Sequence, residues 1–164
     1  MRMNQDLKIM YDLVRRTRQV LLEFTESLPN QIYTLERPDF AYGSIRNIHA
    51  HVAFCYLAWV GVALGYKRED LAMPDDQITD AKAMRERFAF VDGIVNEALE
   101  KFQTPDEALE FPHRSGNLKL TQRWLLLHPI THEFHHKGQL LALARVLEYP
   151  LPGDVDTDLV LPFE

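Results

Sequence analysis

The sequence has a single cysteine and no cluster of basic residues, and each shortage excludes a class of protein. Cys55 is the only cysteine in 164 residues, so an intramolecular disulfide and a cysteine-based zinc site are both excluded. Lys and Arg form no stripe and the formal net charge is -6, which argues against a nucleic-acid partner. We therefore expect neither a disulfide-stabilised scaffold nor a nucleic-acid-binding groove.

Long apolar runs, internal repeats and low-complexity tracts are also missing. With 46% hydrophobic and 26% charged residues, the composition is that of a folded globular protein and not of a disordered or membrane-spanning one. The first eight residues carry charges where a signal peptide needs an apolar run, so we expect a cytoplasmic protein. The length fits one domain over residues 1–164.

Four long segments carry apolar residues at steps of three and four, which is the period of an α-helix with one buried face. We predict helices over about residues 4–28, 44–65, 80–102 and 121–147, and a short hairpin between residues 109–111 and 118–120. The connections before the second and third helices are longer than tight antiparallel turns need. The pattern predicts an all-α protein, a four-helix bundle with a long crossover connection.

The fourth predicted helix carries histidines in the middle of its apolar stripe. His132 and His136 are four residues apart, so they point from one face, as a chelating pair must. His128 lies one turn upstream and Gln139 one turn downstream on the same arc. A single histidine on an apolar face is usually a hydrogen-bonded core residue, but this spacing favours a metal site.

The second predicted helix offers the third ligand that a metal site needs. His49 and His51 are two residues apart, which is about 200° around a helix, so they cannot both face one site. Their positions relative to the apolar stripe give only a weak preference for His51.

Residues 132–136 also spell H-E-x-x-H, the metalloprotease motif in which the glutamate is the general base. The longer metzincin motif fails because no histidine follows, and Glu148 ends this helix and begins no other. An all-helical protein also lacks a strand against which a protease substrate would lie. We expect Glu133 to be a solvated side chain or an outer neighbour of the site, and His135 to flank the site.

Two motifs resemble those of a known family. Residues 44–53 (SIRNIHAHVA), followed by Trp59, resemble the second-helix motif of DinB-like proteins, and residues 131–140 (THEFHHKGQL) resemble their fourth-helix motif. Residues 150–158 are similar to the family's ending, so the resemblance spans nearly the whole chain. It implies a four-helix bundle with a crossover, often a homodimer, that holds one divalent metal ion through three histidines.

Carried onto this sequence, the resemblance implies that the metal ligands are His51, His132 and His136. It gives His128 no ligand role, so we expect His128 to line the pocket or to support a ligand. Zinc and nickel are the favoured ions, although imidazole also suits iron and copper.

Three neutral imidazoles leave a bound metal with an open position for water or a thiol. DinB-like proteins are similar to enzymes that use low-molecular-weight thiols, including bacillithiol S-transferases and mycothiol-dependent isomerases. The resemblance therefore implies a metal-dependent thiol S-transferase that takes a small thiol and an electrophilic small molecule. A non-catalytic metal-binding module, and a hydrolase that uses the H-E-x-x-H segment, are the alternatives.

Overall fold

The computed structural model describes residues 2–72, 77–156 and 158–162, and most of them are helical. Thr157, which belongs to the tail motif, lies outside the described residues. In chain order the elements are α1 (Arg2–Ser27), α2 (Asn30–Tyr33), α3 (Ile45–Tyr56), a π-helical segment (Leu57–Gly61), α4 (Arg68–Leu71), α5 (Ala81–Lys101), β1 (Ala108–Phe111), β2 (Leu118–Thr121) and α6 (Gln122–Val146).

The four long helices pack as the predicted bundle. α1 packs on α5 and α6, and α3 packs on the same two helices. α1 and α3 both lie between α5 and α6, on opposite sides of the bundle, so the connection from α1 to α3 crosses the bundle. The predicted crossover is confirmed. Fully buried apolar side chains fill the centre, among them Tyr56, Phe88, Met84, Leu125, Leu140 and Leu143. Within the described residues, no helix is long and apolar enough to cross a membrane.

Side-chain caps fix where the last three long helices begin. Ser44, Asp80 and Thr121 each accept a hydrogen bond from the backbone N–H three residues later. Such a cap contributes about 1 kcal/mol because it pairs a helix-end donor that is otherwise free. All three starts agree with the sequence prediction, and α6 continues through Pro129.

The second long helix is not the uniform α-helix that its apolar period predicts. Its continuation over Leu57–Gly61 is π-helical, which rotates the following side chains relative to an α-helix. Gly61 lies against α4, where a Cβ atom would come 2.7 Å from Leu71 Cδ1, so a larger residue would require the Leu71 side chain to move. The π-helical segment carries Trp59, whose ring stacks on Phe111 of β1 at a centroid distance of 5.1 Å.

The predicted hairpin is confirmed as an antiparallel pair. Ala108 pairs with Thr121 and Phe111 pairs with Leu118. Phe111 is fully buried, which anchors the hairpin to the bundle. The turn between the strands places His113 against Trp59, where the two rings stack.

Candidate metal centre

Three histidines from two helices meet at one point. His51 of α3 faces His132 and His136 of α6, and each offers a ring nitrogen within 4.8 Å of the other two. Nε2 of His51 lies 2.9 Å from Nε2 of His132, and the rings of His132 and His136 are 4.3 Å apart between centroids. We call these three residues the histidine cluster. Among the residues that the structure describes, no other group of three potential ligands is found.

The histidines of the cluster are neutral at neutral pH. Burial and the neighbouring imidazoles lower the pKa of His132 to about 4. Burial also lowers the pKa of His51 and of His136 below the ordinary histidine value. Neutral imidazole is the form that binds a metal ion, so no proton has to leave these rings first at neutral pH.

Gln139 fixes the orientation and the proton of His136. Nδ1 of His136 lies 2.7 Å from Oε1 of Gln139, and the amide nitrogen of Gln139 lies 3.2 Å from Nε2 of His135. Because an amide oxygen only accepts, the His136 proton sits on Nδ1 and the lone pair on Nε2 stays free. Supporting hydrogen bonds of this kind are typical of metal-binding histidines.

The cluster has the chemistry and the size of a site for one metal ion. Two nitrogens bound to one tetrahedral ion at zinc–nitrogen distances lie roughly 3.4 Å apart. The shortest separation in the cluster, 2.9 Å, and the 4.8 Å limit for the whole set lie on either side of this value. Three protein ligands leave a fourth position of a tetrahedral ion open, as in catalytic zinc sites.

His49 lies outside the cluster, on the buried side of α3. The residue is 2% exposed, its Nδ1 lies 3.2 Å from the Tyr33 hydroxyl, and its ring meets Phe88 edge to face. Burial lowers the pKa of His49 to about 3, so the ring is neutral there. The structure thus separates the two histidines that the sequence could hardly distinguish, and only His51 joins the cluster.

Of the two expectations for Glu133, a solvated side chain or an outer neighbour of the site, the first is wrong. The side chain is buried, and its two carboxylate oxygens accept hydrogen bonds from Arg18 Nε at 2.7 Å and Nη2 at 2.9 Å. The Tyr56 hydroxyl donates a further hydrogen bond of 2.6 Å, and Arg18 also pairs with Asp92 at 2.6 Å. We call Arg18, Tyr56, Asp92 and Glu133 the buried ion network. Arg18 lies in α1, 115 residues from Glu133, so the H-E-x-x-H motif gives no indication that the two side chains form a pair.

Tyr42 is a site residue that the sequence did not reveal. Its hydroxyl lies 3.0 Å from Nε2 of His51, and its ring stacks on His51 at 4.2 Å between centroids. The ring also meets His136 edge to face at 5.1 Å. The phenol therefore lies at the edge of the cluster, beside the nitrogens that face a bound ion.

The backbone holds Tyr42 in an unusual conformation to achieve this position. Its φ angle is 62°, which is rare for a bulky residue, and Gly43 follows at 78°. The Asn47 side chain donates a 2.9 Å hydrogen bond to the Tyr42 carbonyl, and the Gly43 carbonyl accepts one from Arg37. Loop residues have no period, so no sequence pattern could predict this arrangement.

Two cavities open beside the cluster and share His51. The first, of about 330 Å³, is lined by Tyr42, Asn47 and Arg87. The second, of about 270 Å³, is lined by Trp59 and His128 and also reaches His132. The expectation that His128 lines the pocket is confirmed, and His135 flanks the cluster against His136 at 4.9 Å.

Comparison with known proteins finds a family match that spans nearly the whole bundle. A sequence profile of the DinB family matches residues 3–155, a range that includes the histidine cluster and the four long helices apart from Arg2 at the start of α1. No curated protein matches the chain. The resemblance inferred from the two helix motifs is confirmed, whereas the homodimer and the cytoplasmic location stay predictions.

Proposed function

The chain belongs to the DinB family, and on this premise we propose that His51, His132 and His136 bind one divalent metal ion at which a small thiol reacts with an electrophilic substrate. The observation that carries the proposal is the cluster itself, whose three nitrogens lie within 4.8 Å of one another on two packed helices. Neutral imidazoles that already converge on one point are suited to bind a metal ion. Zinc or nickel suits an all-imidazole site of this kind.

A metal ion can activate a nucleophile only if the protein leaves one of its coordination positions open. A divalent ion bound by His51, His132 and His136 would lower the pKa of a thiol or a water molecule bound to it. In the proposed transfer the thiol gives its proton to solvent, the sulfur forms a bond to the electrophilic carbon, and the leaving group departs with the electron pair of the broken bond. Gln139 holds His136 with its lone pair toward the site throughout.

The two cavities fit a reaction with two substrates. Each borders His51, one on the side of Tyr42 and the other on the side of Trp59. A thiol and an electrophile entering from the two sides would meet at the cluster. The Tyr42 hydroxyl, 3.0 Å from Nε2 of His51, is within reach of a group bound there and can donate a hydrogen bond to it.

A hydrolase that uses Glu133 as its base is the less favoured function. The Glu133 carboxylate accepts hydrogen bonds from Arg18 and Tyr56 in the interior. A general base must come within hydrogen-bond reach of the proton that it removes. Reaching a water at the cluster would break the pair with Arg18 and leave that buried guanidinium with Asp92 alone.

Metal analysis combined with a thiol-conjugation assay tests the proposal. We expect the purified protein to contain one zinc or nickel ion per chain and to conjugate 1-chloro-2,4-dinitrobenzene with bacillithiol, mycothiol or another small thiol. His136→Ala should lose both the metal and the turnover, whereas the neighbouring His135→Ala should keep both. Stoichiometric metal without turnover for any thiol would leave a non-catalytic metal-binding module. Absence of bound metal would contradict the site itself.

A further inference from the structure

The second cavity has walls of a kind that the metal site does not require. It extends from His51 and His132, away from the cluster, toward the hairpin turn and α4. A molecule that fills it would therefore keep one end beside the cluster. Its volume of about 270 Å³ is close to the lower limit for small-molecule pockets, which corresponds to a ligand with about one ring.

Flat aromatic faces form the walls of this cavity. The Trp59 ring lies nearly parallel to the His113 ring, at 10° and 5.9 Å between centroids, and meets His128 edge to face at 5.1 Å. Trp124 stacks on His128 from behind at 4.5 Å, which holds that ring in place. In the hairpin turn, the Ser115 N–H donates to Nδ1 of His113. Such pre-positioned π faces favour a planar ligand over a puckered one.

Two guanidinium groups lie at the rim of the same cavity. Arg68 is the first residue of α4, and Arg114 lies in the hairpin turn. Among the described residues, neither has a carboxylate partner, and no residue that lines this cavity is acidic. The contrast with other surface arginines is clear, because Arg37, Arg123 and Arg145 each pair with an aspartate. Guanidinium groups bind carboxylates with two parallel hydrogen bonds.

We propose that this cavity binds the electrophilic substrate and that the substrate is a small planar anion, an aromatic carboxylate whose ring lies against Trp59 and whose carboxylate pairs with Arg68 and Arg114. This inference rests on the proposed function and deepens it, because it names the class of the second substrate. The reacting carbon then lies at the other end of the molecule, beside His51 and His132.

Binding of matched probes by calorimetry tests the inference. Benzoate carries both features, benzamide removes the charge, and cyclohexanecarboxylate keeps the charge but removes the planarity. We expect benzoate to bind at least about ten-fold more tightly than benzamide, since one charge-assisted hydrogen bond alone is worth that much. We also expect it to bind more tightly than cyclohexanecarboxylate, since a puckered ring cannot lie flat against the Trp59 ring. Arg68→Gln and Arg114→Gln should each weaken benzoate binding about ten-fold, whereas Arg145→Gln, a surface arginine outside the cavity, should leave it unchanged. All three arginines are exposed, so none of these variants threatens the fold.

The titration is run on the protein as purified and again after removal of metal by a chelator. Benzoate binding that survives chelation supports the arginine site, and binding that disappears means that the carboxylate was bound to the metal, which overturns the inference. Equal affinity for benzamide or cyclohexanecarboxylate, or no effect of either cavity variant, would also overturn it. Because the chelated protein needs neither metal nor turnover to give its result, a failure here is distinguishable from a failure of the proposed function.

Discussion

The histidine cluster and the buried ion network lie on two sides of α6, and each includes one of two neighbouring residues of the H-E-x-x-H motif. His132 joins the cluster, and the next residue, Glu133, joins the network with Arg18. α3 divides its polar residues in the same way, since His51 enters the cluster while His49 is buried against Tyr33. The role of a polar residue in this bundle thus depends on the side of the helix on which it lies and on partners far away in the sequence.

The two regions differ in what the removal of a side chain should cost. In the network, Arg18 and Glu133 are 3% and 7% exposed, so deletion of Glu133 removes two of the hydrogen bonds of a buried guanidinium and leaves it only the pair with Asp92. The cluster is built from neutral rings, two of which are partly exposed, so deletion of one removes a ligand with little loss of folding energy. Stability experiments should report on the network, and metal-binding experiments should report on the cluster.

Glu133→Ala should give the largest loss of stability. We expect the free energy of unfolding, measured by urea denaturation, to fall by about 3–5 kcal/mol because the buried Arg18 charge loses the carboxylate that accepts two of its hydrogen bonds and keeps only Asp92. Variant protein that remains folded should still bind one metal ion per chain.

Two further variants control this experiment. Glu110→Ala removes an exposed carboxylate and should change stability by less than about 0.5 kcal/mol. Glu133→Gln keeps an acceptor for Tyr56 and should be less damaging than Glu133→Ala. If Glu133→Ala kept wild-type stability but lost turnover, Glu133 would be a catalytic base and the division between the two regions would be wrong.

Gln139→Ala tests the cluster side of the comparison. Loss of the hydrogen bond that holds His136 should weaken metal affinity about 10–100-fold, as determined by competition with a chromogenic chelator. Stability of the metal-free protein should change by less than about 0.5 kcal/mol. His135→Ala, which removes the other partner of the Gln139 amide, should keep the wild-type affinity. Equal affinities for Gln139→Ala and wild type would show that the hydrogen bond does not support the site.

Tyr42→Asn should give the smallest change, and in the opposite direction. Asparagine tolerates the φ angle of 62° better than tyrosine does, so the metal-free protein should become more stable by up to about 1 kcal/mol. Tyr42→Phe keeps both the strained backbone and the ring and should leave stability unchanged, but it should slow turnover because the hydroxyl beside His51 is gone. A destabilised Tyr42→Asn variant would mean that ring packing outweighs the backbone strain.

The helices were predictable from the sequence because period and caps act locally. The apolar steps and the caps Ser44, Asp80 and Thr121 needed no tertiary information. His132 and His136 were likewise predictable, since four residues on one helix bring two rings together whatever the rest of the fold.

The remaining parts of the site depend on contacts between distant segments. Whether His49 or His51 faces α6 depends on how α3 is rotated against its neighbours. The burial of Glu133 depends on Arg18, 115 residues away. The position of Tyr42 depends on a loop held by Asn47, and that of Trp59 on a π-helical turn. Each of these needs the packed structure.

The metal content of two α3 variants tests the central claim most directly. His51→Ala and His49→Gln change histidines two residues apart on one helix, and glutamine keeps an acceptor for the Tyr33 hydroxyl. After purification with equal zinc supplied, elemental analysis should find one ion per chain in wild type and His49→Gln, and far less than one in His51→Ala. Full metal in His51→Ala, or its loss in His49→Gln while the fold is retained, would contradict the histidine cluster as the metal site.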